Sequence, residues 1–135
     1  MPKIYFYDSG LACSLLGIEN KKQLKNHALK GNLFESFVIS EILKTRFNRG
    51  LGANLYFWRD KTGHEIDCLM DQPNQLVAIE IKSGKTVTEG YFKEIQYWKK
   101  LVKGRSSAYL IYGGNTPQKR SEVYVLNWQD ISPIL

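Results

Sequence analysis

Cysteine is scarce in this chain: Cys13 and Cys68 are the only two, far apart and without metal-ligand spacing, which argues against a disulfide framework and a thiolate metal site. Each falls in an apolar pattern, so both are expected as buried free thiols in a reducing compartment. No apolar run approaches the length of a membrane span and no charged-then-apolar leader opens the sequence, so a cytoplasmic location is expected. Repeats, low-complexity tracts and linker-like segments are also missing, and 135 residues therefore read as one domain, large enough to bury a core unaided. A GxxxxGK[ST] phosphate loop is absent, which excludes that type of nucleotide site from this stretch. Acidic residues are outnumbered, 13 Asp and Glu against 19 Lys and Arg, for a net charge of +6. That excess favours a polyanionic partner, nucleic acid above all, with solubility as its plainer use.

What is present alternates between the periods of helices and strands. Residues 3–7 are an aromatic and β-branched run, expected as a strand or extended segment, and lead into a short helix capped by Asp8 or Ser9 and ended by Gly17. Residues 20–30, rich in lysine, predict a second short helix. The clearest helix covers residues 32–49, where Leu33, Phe34, Phe37, Val38, Ile42 and Leu43 recur at helical spacing and Gly50 stops it. Glu35 borders that apolar stripe. It can act as the capping-box partner of Asn32 or as a ligand facing the interior.

Residues 55–59, LYFWR, read as an aromatic strand, and residues 60–63 turn it into a hairpin. A further amphipathic helix starts at Thr88, with Phe92, Ile95, Trp98 and Val102 on one face and Lys93, Lys99, Lys100 and Lys103 on the other, and closes at Gly104. Two more strands, residues 107–112 and 122–126, are separated by a loop carrying Lys119 and Arg120. The pattern predicts an α/β fold whose sheet is mixed, because its central hairpin is antiparallel.

That hairpin, within residues 63–83, concentrates the informative residues. Val77, Ile79 and Ile81 alternate with Ala78, Glu80 and Lys82, and Ile66, Cys68 and Met70 alternate with Glu65, Asp67 and Leu69. Pairing Asp71 with Leu76 across residues 72–75 brings Met70 opposite Val77, Cys68 opposite Ile79 and Ile66 opposite Ile81, so the apolar faces coincide. The same register sets Asp67 against Glu80 and Glu65 against Lys82. Facing carboxylates destabilise a sheet unless a cation lies between them, and a divalent ion such as Mg²⁺ takes one or two carboxylates while keeping waters for phosphate oxygens. Charged residues alternating on a strand are also the ordinary pattern of a solvated face.

The order of elements from Leu33 onward is helix, three strands, helix, strand, with Glu35 on the first helix, Asp67 on the second strand, and Glu80 and Lys82 on the third. This resembles the PD-(D/E)xK superfamily of restriction-endonuclease-like nucleases. The resemblance implies a core spanning residues 31–126, with Mg²⁺ or Mn²⁺ held by Asp67 and Glu80 with help from Glu35, and Lys82 positioning or activating the attacking water. Ile66 stands where the family has proline. Gln96 suggests the glutamine of RecB-like nucleases, but Lys100 occupies the place of their tyrosine, and Gln96 is given no catalytic role. A narrower resemblance, carried by KIYFYDSGLACSLLGI, GNLFESFVISEIL, FWRDKTGHEIDCL and AIEIKSGK, is to the domain of unknown function that follows AAA+ ATPase modules in many bacterial and archaeal proteins.

These resemblances imply a metal-dependent nuclease domain that hydrolyses DNA, coupled to an upstream ATPase module in a longer parent chain. Lys85, Lys93, Lys99 and Lys100 are the expected DNA contacts. The competing expectation is a non-catalytic module that binds nucleic acid or docks a partner while keeping the fold.

Overall fold

The computed structural model describes residues 3–134. In chain order the elements are α1 (Ser9–Leu15), α2 (Lys21–Asn26), α3 (Lys30–Asn48), β1 (Leu55–Arg59), β2 (Glu65–Gln72), β3 (Gln75–Lys82), a 3₁₀ turn (Glu89–Phe92), α4 (Lys93–Leu101), β4 (Ser106–Tyr112), β5 (Gln118–Arg120), β6 (Val123–Asn127) and a 3₁₀ turn (Ser132–Ile134). The strands form one six-stranded mixed sheet in the order β1-β2-β3-β4-β6-β5. β1, β2 and β3 pair antiparallel, β3, β4 and β6 pair parallel, and β5 pairs antiparallel with β6. A parallel neighbour requires a crossover, and α4 supplies it between β3 and β4.

The two faces of the sheet bury separate apolar sets. Val38, Ile39 and Ile42 of α3 pack with Cys68, Met70, Val77, Ile79, Ile81 and Ile111 on one face. Phe92, Ile95 and Trp98 pack with Ile66, Leu69, Ala78, Leu110 and Val125 on the other. Since β3 and β4 are covered on both faces, they read as near-continuous apolar runs, interrupted in β3 by Glu80.

Local signals account for the first helix. Asp8 caps α1 by accepting from the Leu11 N–H at 3.1 Å, and Gly17, at φ 68°, ends it while the Ile18 N–H donates back to Cys13 O. Residues 3–7 join no strand. They run along α3 instead, where Ser36 Oγ accepts from the Phe6 N–H at 2.8 Å and donates to the Phe6 carbonyl at 3.2 Å.

The capping-box expectation for Asn32 and Glu35 is wrong. α3 begins at Lys30, its cap is Leu29 with no side-chain bond, and the Leu33 N–H already donates to Leu29 O at 2.9 Å, so Asn32 lies within the first turn and the Glu35 N–H that it would have capped falls inside the helical ladder. Glu35 is thereby left for tertiary contacts. Cys13 is only half-buried, because short α1 buries Ala12 alone, whereas Cys68 is fully buried as expected. The loop after β4 is also more ordered than expected: Lys119 and Arg120 lie on β5, which pairs with β6.

The central hairpin has the expected register through Cys68–Ile79, Met70–Val77 and Asp71–Leu76, and pairing continues to Gln72–Gln75, so only Pro73 and Asn74 form the connection. Beyond Cys68 the alternation breaks. Tyr56 pairs with Leu69 but Trp58 pairs with Ile66, which sets Phe57 of β1 against both Asp67 and Cys68 of β2. This is a β-bulge, and a bulge turns every later side chain to the opposite face. Ile66 consequently packs against α4 with Leu69, not with Cys68 and Met70 as strict alternation requires.

Candidate active site

The bulge sets the position of Asp67. Where a regular ladder would continue, the Asp67 carboxylate replaces a backbone acceptor: Oδ2 receives the Ile81 N–H of β3 at 2.9 Å. The side chain is buried, and a buried carboxylate is costly unless paired and hydrogen-bonded. Two ammonium groups supply the pairing. Lys82 Nζ lies 3.6 Å from Asp67 Oδ2, and Lys3 Nζ lies 3.5 Å from Asp67 Oδ1.

Glu80 is buried more deeply, at 1% exposure, on the strand face it shares with Ala78 and Lys82. Its Oε2 accepts from Lys82 Nζ at 2.8 Å, while Oε1 has no hydrogen-bond partner. Burial, and after it the neighbouring Asp67 charge, push the Glu80 carboxyl up from an ordinary 4.5 to about 8 despite Lys82. Burial alone would lower the Lys82 ammonium, but Asp67 and Glu80 outweigh it and hold its pKa above the usual value. Lys82 therefore remains cationic between the two acids.

Glu35 reaches the same cluster from α3 by way of residues 3–7. Its Oε1 accepts from Lys3 Nζ at 3.0 Å and from the Tyr5 hydroxyl at 2.8 Å. Burial and the Glu35 carboxylate raise the Tyr5 hydroxyl well above its ordinary pKa, so it stays a neutral donor. Lys3 also lies 3.7 Å from Glu65 Oε1 and 4.4 Å from the centroid of the Phe57 ring. Its pKa is raised as well: desolvation opposes the charge, but Glu35, Asp67 and Glu65 together overcome it. A cavity of about 260 Å³ between residues 5–7, α3 and β1 has Asp67 and Cys68 in its wall. Burial pushes the Cys68 thiol up to about 12, which leaves it a packing residue rather than a nucleophile.

The four residues singled out from sequence thus lie in one chain of charges, Glu35, Lys3, Asp67, Lys82, Glu80. Glu65, expected opposite Lys82, meets Lys3 instead. Lys3 and Tyr5 were missed by sequence reading. The one signal for them is that an extended segment points residues 3 and 5 to the same side.

The donors fit a divalent ion in part. Among the described residues no three His, Cys, Asp or Glu side chains are gathered closely enough to form a metal cage. Mg²⁺, however, needs only one or two carboxylates, and Asp67 and Glu80, with a buried oxygen of Glu80 unpartnered, meet that need. Glu35 is engaged by Lys3 and Tyr5.

The lysines expected to contact DNA are spread more widely. Lys85 is exposed in the loop after β3, and Lys93 and Lys100 are exposed on α4. Lys99 is committed to Glu122, donating to its Oε2 at 2.9 Å and its carbonyl at 3.2 Å. Beside the cluster, the turn from β1 to β2 is tied to α4. Asp60 accepts from the Thr62 and His64 N–H groups and from the Tyr97 hydroxyl, and His64 stacks on Tyr97 with Nδ1 2.7 Å from Glu94. This network anchors the strand that carries Glu65 and Asp67.

A mixed α/β sheet with a buried acid–lysine cluster at the bulge of its central hairpin defines the kind of domain this is. The chain belongs to the family described as Domain of unknown function (DUF4143), whose model matches residues 30–131 and so includes Glu35, Asp67, Glu80 and Lys82. It is similar to "Uncharacterized protein Rv2008c" of Mycobacterium tuberculosis and "Uncharacterized protein Mb2031c" of Mycobacterium bovis, 33% identical to each over 86 residues. The matched stretch is 63% of this chain and 18% of either relative. No helix among the described residues is long and apolar enough to cross a membrane.

Proposed function

We propose that this domain is a metal-dependent nuclease of restriction-endonuclease-like type that hydrolyses DNA phosphodiester bonds. The observation that carries the reading is that Asp67 and Glu80, buried carboxylates on adjacent strands, share the Lys82 ammonium while Glu80 Oε1 lacks a partner. Burying two acids side by side costs stability, and sites that bear such a cost tend to be functional. The order α3, β1, β2, β3, α4, β4 supports the nuclease-like core.

Asp67 and Glu80 would hold Mg²⁺ or Mn²⁺, which when bound supplies Lewis-acid polarisation of the phosphate and a water of lowered pKa. Lys82, partly exposed and strongly cationic, is suited to neutralise charge developing on the phosphate oxygens. Ile81 holds Asp67 in orientation through its N–H. The mycobacterial relatives are several times longer than the matched stretch, which accords with a module that works beside another, an AAA+ ATPase in our reading.

A non-catalytic, DNA-binding or partner-docking role is the second reading. It is favoured by Lys3, whose ammonium already neutralises part of the cluster. Nicking of plasmid, single-stranded and branched DNA with Mg²⁺ or Mn²⁺ separates the two. Nuclease action predicts cleavage that chelator abolishes and that Lys82→Ala lowers on the order of 10²- to 10³-fold. Binding without cleavage on every substrate, with both metals, supports the second reading.

A further inference from the structure

Lys3 divides the acid cluster in two. Asp67 Oδ1 faces Lys3 and Oδ2 faces Lys82, with Glu35 and Glu65 on the Lys3 side and Glu80 on the Lys82 side. With Glu80 deprotonated, as ligation of a metal requires, four carboxylates against two ammonium groups leave two negative charges, which one divalent cation cancels. Without Lys3 three would remain, enough to recruit a second ion. Among the described residues the fully buried carboxylate oxygen without a partner is Glu80 Oε1, on the Lys82 side, whereas on the Lys3 side Glu35 Oε1 takes two donors, Lys3 and Tyr5.

We infer that Lys3 is a built-in cation standing in for a second metal ion, so that the centre takes one divalent ion at Asp67 and Glu80 while Glu35 and Glu65 serve as ligands of the lysine. This rests on the metal centre proposed above and specifies its stoichiometry. Lys3 suits the role physically. Residues 3–7 are held to α3 by the paired Phe6–Ser36 bonds, so the ammonium is delivered by a tethered segment. The Phe57 ring face closes one side of the ammonium as a cation–π partner. A two-metal centre clamps attacking and leaving oxygens between a pair of ions. Here the second positive charge is covalently part of the chain and cannot be removed by chelator.

The test is a count of bound Mn²⁺ by calorimetry and by electron paramagnetic resonance on the intact chain. The parent should bind one ion, Lys3→Met two, and Lys3→Arg, which restores the charge, one. Glu35→Gln should still bind one, since Glu35 holds the lysine and not the metal. Loss of metal in Glu35→Gln would overturn the inference, as would a Lys3→Met variant that binds one ion with the parent's affinity or a parent that binds two. Glu35→Gln keeps the inference open to refutation if Lys3→Met fails to fold. Absence of binding in every variant would remove the metal centre itself, a result distinct from one ion in parent and Lys3→Met alike.

Discussion

The Ile81 N–H donates to Asp67 Oδ2 across 2.9 Å, so a side chain of β2 occupies the place of a carbonyl in the ladder with β3. Asp67 is therefore both a site residue and part of the sheet's hydrogen bonding. Asp67→Ala should leave a buried N–H unsatisfied at a cost of about 1–3 kcal/mol. Asp67→Asn keeps an acceptor and should cost less, although Lys3 and Lys82 lose a shared counter-charge. Urea denaturation of parent and both variants at neutral pH checks the ranking, and equal stability for Asp67→Ala and parent would contradict the structural role.

Glu80 makes stability depend on pH. Its native carboxyl, raised by burial and by Asp67, holds a proton up to about 8, against an ordinary 4.5 for the unfolded chain. The native state thus binds the extra proton between those values. The stabilisation is fully present below the lower value and lost as pH rises through the upper, at about 1.4 kcal/mol per unit of separation. Glu80→Gln removes this titration. The difference in urea midpoint between parent and Glu80→Gln, measured in chelator, should therefore shift against the parent from pH 5 to pH 9. A constant difference across that range would mean that Glu80 is ionised throughout.

DNA affinity should be salt-dependent and unequally shared among the lysines. Each phosphate neutralised contributes about 0.9 to the log–log slope. Lys85→Ala, Lys93→Ala and Lys100→Ala should each reduce the slope by about that amount, since all three are exposed. Lys99→Ala should change it least, because Lys99 is already paired with Glu122. Fluorescence anisotropy with a short duplex over a salt series distinguishes the four, and a dominant effect of Lys99 would show that the ion pair opens on binding.

The sequence by itself determined the register of the central hairpin from Cys68 to Leu76, because two period-two patterns coincide in only one alignment and a slip would bury the wrong faces. It also determined the two helices that cover the sheet, from their apolar spacing, and the gathering of Asp67, Glu80 and Lys82, from their places on successive strands, whereas Glu35 joins them only through Lys3. Tertiary structure alone decided the rest. The bulge at Asp67 and Cys68 leaves no mark in the alternation, since it arises from how β1 pairs with β2, and it sent Ile66 to the α4 face. Asn32 looked like a cap only because a cap is read from four residues, whereas the start of α3 was set by Leu29 one turn earlier. Lys3 meets Glu35 across 32 positions of sequence. No local pattern carries such a contact, because the energy that holds an ammonium among buried carboxylates exists only once the fold has removed the water that would otherwise solvate both.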